Sequence, residues 1–476
     1  MNLASLPGVD VQGLAYDSRH VKQGDVFIAL KGLKAAGADY AAEAVQRGAV
    51  AVVADRPADG SVPVPWVIVP DARAAMAALA TELYGHPSRS MQVVGITGTN
   101  GKTTTAYLLR AVLESAGKKC GLLGTVAYSI GDRELPALRT TPEAPDVQRM
   151  FRQMVDAGCG ACVMEVSSHA LALRRVDGTA FAAAVFTNLT RDHLDYHGDM
   201  ESYFTAKRRL FEMLPPGAPG VINLDDPRGE SLRKTASAVM TYAIKKPADV
   251  TPGPLALTFE GLEFDARTPK GDVHVKSRLV GRPNVSNILA TVAVATALDV
   301  PAAAIERGLA NLRGVPGRFE LVSSGKDDIT VVIDYAHTDD ALKNLLETAR
   351  PLAGRRVITV FGCGGDRDRT KRPLMGAVAA RLSDVVVVTS DNPRTEDPVR
   401  IIEEIKRGIP PASDRGAAVF AILDRKEAIQ FAVKKAEPGD LVLLAGKGHE
   451  QTQTIGSEEL PFDEASIARE ALEQRR

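Results

Sequence analysis

The stretch MQVVGITGTNGKTTT (91–105) decides how the fold is read. Its first seven residues are mostly apolar and rich in β-branched side chains, the composition of a buried strand. A glycine-rich turn follows, then a helical pattern from Ala106 to Ala116. Strand, glycine-rich turn and helix open an α/β nucleotide-binding unit. The backbone N–H groups of Gly98, Thr99, Asn100, Gly101 and the following helix start, through Thr104, can surround phosphate oxygens. Lys102 would reach the β and γ phosphates as a point charge, and the Thr103 hydroxyl would face Mg²⁺. Ile96 stands where the full G-x-x-x-x-G-K-[ST] pattern has its first glycine, so the loop is a variant of that motif. The plainer alternative is a strand-to-helix turn with a solvated lysine.

Outward from this loop the same grammar repeats. ACVMEV empties into SSHA, and AAAVF into TNLTRDHLDYH. Apolar runs ending in polar loops suit parallel strands of a doubly wound sheet, whose ligands sit at the carboxyl ends. After GVPGRFE (314–320), ITVVIDY, VITVFGC, VVVVTS and LVLLAG end in AHTDD, GGDRDRT, DNPRTEDP and KGHEQ, a second α/β unit. Before the loop, GDVFIALKG, GAVAVVAD and VPWVIVPD read as short strands, and 71–85 as a helix capped by Asp71. The expected fold class is α/β with three domains. A small α/β domain (1–88) precedes a central doubly wound P-loop domain (89–315) and a C-terminal Rossmann-like domain (316–476).

The chain has 476 residues, enough for about three domains at roughly 150 residues each. Lys and Arg number 58 against 59 Asp and Glu, a formal net charge of -1, which excludes bulk electrostatic attachment to nucleic acid or anionic membrane. A 45% hydrophobic and 25% charged composition is that of a soluble globular chain. The four cysteines are too few for a disulfide scaffold, and Cys159-x-x-Cys162 has no second pair to complete a zinc site. The N-terminus lacks an apolar signal core, and no run approaches 18 apolar residues. A reducing compartment and no membrane span are expected.

An ATP site needs acids for magnesium. Glu165 closes the strand ACVMEV, where a buried acid is costly unless it meets a cation or a donor. Asp192 and His193 lie in the loop after VFTNLT, with His169 and His197 as weaker candidates. Lys207, in YFTAKRRLF, reads by default as part of a basic, solvated helix face. In the last segment GGDRDRTKRP (364–373) and DNPR (391–394) concentrate arginines, whose forked guanidinium groups bind carboxylates bidentately. Arg367 and Arg394, set in turn chemistry, are the candidates; Arg369, Lys371 and Arg372 read as surface charge. Glu450, in AGKGHE beside Lys447 and His449, could read an ammonium group.

GTNGKTTT, EVSSHAL, TNLTRDHLDYHG, AKRRLF, RPNVSNILA, GRFE, DYAHTDDAL and AGKGHE together resemble the Mur ligases, cytoplasmic enzymes that build the peptide stem of peptidoglycan. The resemblance covers nearly the whole chain. DNPR narrows it to the members that add meso-2,6-diaminopimelate. The resemblance implies ATP on Gly98 through Thr104, with contacts from Asn284, Asn287, Arg318 and Asp334. It implies Mg²⁺ on Thr103, Glu165, His193 and a carbamylated Lys207, since CO₂ addition converts an ammonium into a carboxylate ligand. The first domain would hold the UDP end of UDP-N-acetylmuramoyl-L-alanyl-D-glutamate, with Ser18 as one contact. Thr140, Thr141, Ser167 and Arg175 would meet its peptide. Diaminopimelate would meet Arg367, Asp391, Asn392, Pro393, Arg394, Gly446 and Glu450. Leu173 and Arg139 depart from the glutamine and asparagine of the family, which leaves one peptide contact open.

The implied mechanism places Lys102, Lys207, His193 and Asp334 around the reacting groups. Asp334, His337 and His193 all remain candidates for deprotonating the amine. A monomer without nucleic-acid or membrane partners is expected. Three alternatives stand: the L-lysine-adding form of the same ligase, a folylpolyglutamate synthase-like ligase, and a P-loop nucleotide switch.

Overall fold

The strand Gln92–Thr97 runs parallel to Ala161–Glu165 on one side and Phe181–Phe186 on the other. In the computed structural model, which describes residues 2–475 apart from 7, 33–35, 59, 61 and 412–415, it lies inside an eight-stranded sheet. Six strands are parallel; Ala127–Ile130 and Arg133–Pro136 add an antiparallel edge. The helix after the phosphate loop spans Lys102–Ser115, four residues earlier than its apolar pattern announces. Its Leu108, Leu109, Val112 and Leu113 are fully buried and pack on one sheet face with the helix Arg282–Ala297. Each such side chain contributes about 1.5–3 kcal/mol by leaving water. Phe151, Met164, Phe181, Phe204 and Phe211 fill the other face. The polar stretch near 240–280 forms a small antiparallel sheet around Leu262–Arg267, whose alternating burial shows one wet face.

The first segment folds as a four-stranded parallel sheet backed by the helix Ala72–Leu83, with Asp71 accepting from the Ala74 N–H. The last segment is a six-stranded sheet, parallel except at the edge strand Glu320–Leu321. Its final parallel strand, Leu441–Ala445, inserts between the earlier strands Thr330–Asp334 and Val357–Phe361. That insertion sets the loop Gly446–Glu450 beside the loops that follow Asp334 and Phe361. Apolar layers cover both faces of this sheet as well. All four cysteines are free and buried; Cys162 lies within a central strand and Cys159 just before it. Among the described residues, no helix is long and apolar enough to cross a membrane.

Two readings of basic residues need correction. Lys207 is not on a solvated face: it is 1% exposed, because its helix, Met200–Glu212, turns Tyr203, Lys207, Leu210 and Phe211 toward the sheet. Arg372 is not surface charge: its side chain is 0% exposed, between Glu396 and Glu404. Arg369 is exposed, as expected.

Candidate active site

A cavity of about 280 Å³ opens where the phosphate loop faces the last sheet. Gly101 caps the helix Lys102–Ser115 with φ 87°, and a Cβ there would lie 2.3 Å from the Asn287 Oδ1. Only glycine fits both the left-handed backbone and the close approach. Asn287 in turn donates to Asn284 Oδ1 at 2.9 Å, so the two asparagines form one edge of the cavity. The Arg318 guanidinium covers the Tyr335 ring at 4.6 Å and donates to the Thr103 hydroxyl at 3.2 Å. The half-buried Asp334 carboxyl accepts the Phe319 and Ala336 N–H groups, while desolvation raises its pKa. The Asn100 amide donates to Asp340 at 3.0 Å, and Arg191 pairs with Asp368 at 3.0 Å. The phosphate loop and the loop after Phe186 therefore touch the last segment directly.

The Glu165 carboxylate is 1% exposed. It accepts the Thr103 hydroxyl at 3.0 Å, the Thr125 N–H at 2.8 Å and the Thr125 hydroxyl at 3.0 Å. Lys102 and Lys207 both donate to one atom, the Gly98 carbonyl oxygen, at 2.9 and 2.7 Å. Two ammonium groups on one carbonyl repel, and that of Lys207 is shut off from water. Burial first, then Lys102, drives the Lys207 pKa well below the ordinary lysine range. His193 sits at φ 53° beside Asp192, 3.3 Å away, and its partial burial lowers its pKa, favouring the neutral ring. His169, Tyr196, His197 and Tyr203 form a ring cluster around it. Hard oxygens on Thr103 and Glu165, a neutral imidazole and a lysine available in its neutral form are a donor set that suits Mg²⁺ once Lys207 carries a carboxylate.

Beside Glu165 the predicted peptide contacts come together. The Thr141 hydroxyl donates to the Glu165 backbone carbonyl at 2.8 Å and accepts the Ser167 N–H. Arg175 donates to the Thr141 carbonyl and pairs with Glu143, which also takes Arg139 and Arg73. Thr140 meets Thr125. Ser18 stands apart in the first sheet's unit, donating to Glu43.

A second group forms at the ends of the last sheet. Asn392 donates to Glu450 at 2.8 Å and accepts from the buried Lys447 ammonium, which also pairs with Glu450. Gly446 has φ 117°, and a Cβ there would lie 2.7 Å from Asp391. The backbone of Arg394 is bracketed by the Thr454 carbonyl and the Gly456 N–H. The half-buried Arg394 guanidinium donates to the Gly365 carbonyl at 2.8 Å. Burial first, then Arg367, lowers its pKa. Thr125 carries a site contact that no motif announced; Asp340 and Tyr335 lie within DYAHTDDAL, but their contacts arise from a fold-dependent approach and not from local spacing.

Three family models match the chain. "Mur ligase family, catalytic domain" covers residues 10–84, "Mur ligase middle domain" covers 96–295, and "Mur ligase, glutamate ligase domain" covers 317–448. The chain belongs to the Mur ligase family. Within it, the chain is 48% identical to the UDP-N-acetylmuramoyl-L-alanyl-D-glutamate--2,6-diaminopimelate ligase of Geobacillus thermodenitrificans, over 100% of this chain and 99% of that protein. The ligase of the same name from Alkaliphilus metalliredigens is 45% identical over 98% and 94%. A solved structure of a ligase of that name superposes with a TM-score of 0.68 at 34% identity, covering 98% of this chain and 95% of that one. A Mycobacterium tuberculosis folylpolyglutamate synthase shares the fold at 20% identity, with a TM-score of 0.64 over 78% of this chain and 92% of that one.

Proposed function

We propose that the chain is an ATP-dependent amide ligase that joins meso-2,6-diaminopimelate to UDP-N-acetylmuramoyl-L-alanyl-D-glutamate. The observation that carries the choice of amino acid is the pair Arg367 and Arg394. Among the described residues neither guanidinium has a carboxylate within ion-pair distance, and both donate to backbone carbonyls. An amino acid with a distal carboxylate supplies the missing counter-charge; L-lysine does not.

In the reaction the D-glutamyl γ-carboxylate attacks the γ-phosphorus, the bond to ADP breaks, and an acyl phosphate forms. The diaminopimelate amine attacks the acyl carbon and loses a proton, and phosphate leaves. Lys102 lies at the phosphate loop to neutralise charge on the transferring group, and Arg318, Asn284 and Asn287 position the nucleotide. Thr140, Thr141, Ser167 and Arg175 hold the peptide beside Glu165. Thr103, Glu165, His193 and carbamylated Lys207 would hold magnesium, which when bound supplies further charge neutralisation on phosphate oxygens. The depressed pKa of Lys207 supports the carbamate, because only the neutral amine adds CO₂.

Phosphate release with UDP-muramoyl-dipeptide tests the proposal in four arms: diaminopimelate, L-lysine, L-ornithine and no amino acid. Turnover confined to the first arm is expected. Equal or greater turnover with L-lysine would overturn the amino-acid assignment and leave the ligase chemistry standing.

A further inference from the structure

The loops bearing Arg367 and Arg394 are held together by a residue that bonds neither guanidinium. The Arg372 side chain is 0% exposed and sits in the first turn of the helix Lys371–Leu382. Its Nη1 donates to Glu396 at 2.9 Å and to Glu404 at 2.8 Å; its Nη2 donates to Glu396 at 2.8 Å and to the Gly364 carbonyl at 3.2 Å. Glu396 reaches back to accept the Asp366 N–H at 2.6 Å. The Asp366 carboxylate accepts the Thr395 hydroxyl at 2.8 Å. Gly365 donates to the Asn392 carbonyl at 2.9 Å, and a Cβ on Gly365 would lie 1.9 Å from the Pro393 carbonyl. Two loops from different strand ends thus run in backbone contact, with the Arg372–Glu396 fork across their base.

That contact carries an electrostatic cost. It brings Arg367 and Arg394 close enough to repel; Asp391, Glu450 and Asp366 offset this from a distance, but among the described residues none pairs with either guanidinium, and like charges separate unless something holds them. The forked pair supplies the hold: bidentate and sheltered from solvent, it fixes both distance and orientation. We infer that Arg372, through Glu396, is a positioning residue for amino-acid selection, setting the spacing of Arg367 and Arg394 at which the pair grips one distal carboxylate. The inference rests on the proposed diaminopimelate reading. Glu404 serves as the contrast, because it comes from the helix Pro398–Lys406 and bonds neither loop's backbone.

The test is steady-state kinetics of the full chain on Arg372→Gln, Glu396→Gln and Glu404→Gln, varying each of the three substrates in turn. Misplacing a binding group by about 1 Å can cost up to about 100-fold. Arg372→Gln and Glu396→Gln should therefore raise KM for diaminopimelate by about 10- to 100-fold. KM for ATP and for the nucleotide-sugar should stay within about 2-fold. Glu404→Gln should lower Tm comparably while moving the diaminopimelate KM far less. Unchanged diaminopimelate KM in a folded Arg372→Gln overturns the inference, as does an equal rise for all three substrates, or an equal rise in Glu404→Gln. If Arg372→Gln does not fold, Glu396→Gln, which is isosteric and keeps the arginine, decides by the same criteria. Failure of the parent reading shows separately, as a wild-type enzyme that does not use diaminopimelate.

Discussion

Replacing Arg394 with alanine isolates substrate recognition from folding. The guanidinium donates to the Gly365 and Asn392 carbonyls at 2.8 and 3.5 Å, so its removal strips no buried carboxylate of a partner. It also removes a like charge from beside Arg367. The folded protein should lose little stability, within about 1 kcal/mol. Bound diaminopimelate should lose a charge-assisted, forked contact to its distal carboxylate, at about 2–4 kcal/mol for a partly desolvated pair. At about 1.4 kcal/mol per decade this is roughly 30- to 700-fold in kcat/KM for diaminopimelate. Phosphate release at saturating ATP and nucleotide-sugar measures it, with KM for ATP as the internal control. The Arg394 backbone adds a second check. Its φ of 52° costs any residue but glycine, and alanine keeps that cost. Arg394→Gly should therefore be more stable than Arg394→Ala by about 1 kcal/mol while being equally poor with diaminopimelate. Near-wild-type use of diaminopimelate by Arg394→Ala would refute the assignment of the carboxylate to this guanidinium.

Lys102→Ala should abolish ADP formation while leaving a native circular-dichroism spectrum; wild-type turnover at saturating ATP would remove Lys102 from the phosphate site. Lys207→Ala should be nearly inactive, and intact-mass measurement of the wild type under ¹³C-labelled bicarbonate should show a labelled, acid-labile adduct that the variant lacks. Gly101→Ala must accept φ 87° and a 2.3 Å approach to Asn287, so ATP binding by calorimetry should weaken by at least about tenfold with the other substrates' affinities held. The Glu396 carboxyl is held down at about 2 by Arg372, below its ordinary 4.5. A depressed carboxyl stabilises the folded state above its unfolded pKa and loses that contribution as pH falls through the folded one. The Tm gap between wild type and Glu396→Gln should accordingly be full at pH 6 and shrink between about 4.5 and about 2. A gap independent of pH would contradict the ion pair.

What the sequence made legible follows from how local each constraint is. The turn from Gly98 to Gly101 must bring its backbone close to neighbours, so its glycines and the flanking strand and helix identify it without tertiary knowledge. Asp71 caps its helix through a contact three residues away. Lys207 and Arg372 were misread because AKRRLF and RTKRP look uniformly basic, and which cation faces inward depends on helix rotation against a sheet. A signal was present in both. Tyr203, Lys207, Leu210 and Phe211 fall at i, i+4, i+7 and i+8, and Arg372, Met375 and Ala379 at i, i+3 and i+7. A cation inside such a stripe is a buried cation, and needs a partner or a neutral form. Thr125 left no comparable trace: its bonds to Glu165 span forty residues and arise from the order of strands in the sheet.

The late strand Leu441–Ala445 has a consequence for synthesis on the ribosome. It is flanked by Thr330–Asp334 and Val357–Phe361, which begin 111 and 84 residues earlier in the chain and pair with it rather than with each other. Until it emerges from the exit tunnel, these two strands each present an unpaired, apolar edge, the kind that recruits foreign strands. The sheets of the first two segments can close while translation continues; the six-stranded sheet of the last segment waits for Leu441–Ala445. The loops at Asp334, Arg367 and Gly446 are all anchored on those three strands, so the nascent chain completes its glycine-rich turn at Gly98–Gly101 well before these three loops can come together. Slowed elongation within the last hundred codons should therefore lengthen the exposure of those two edges and raise the demand for chaperones, with no change in the sequence of the finished protein.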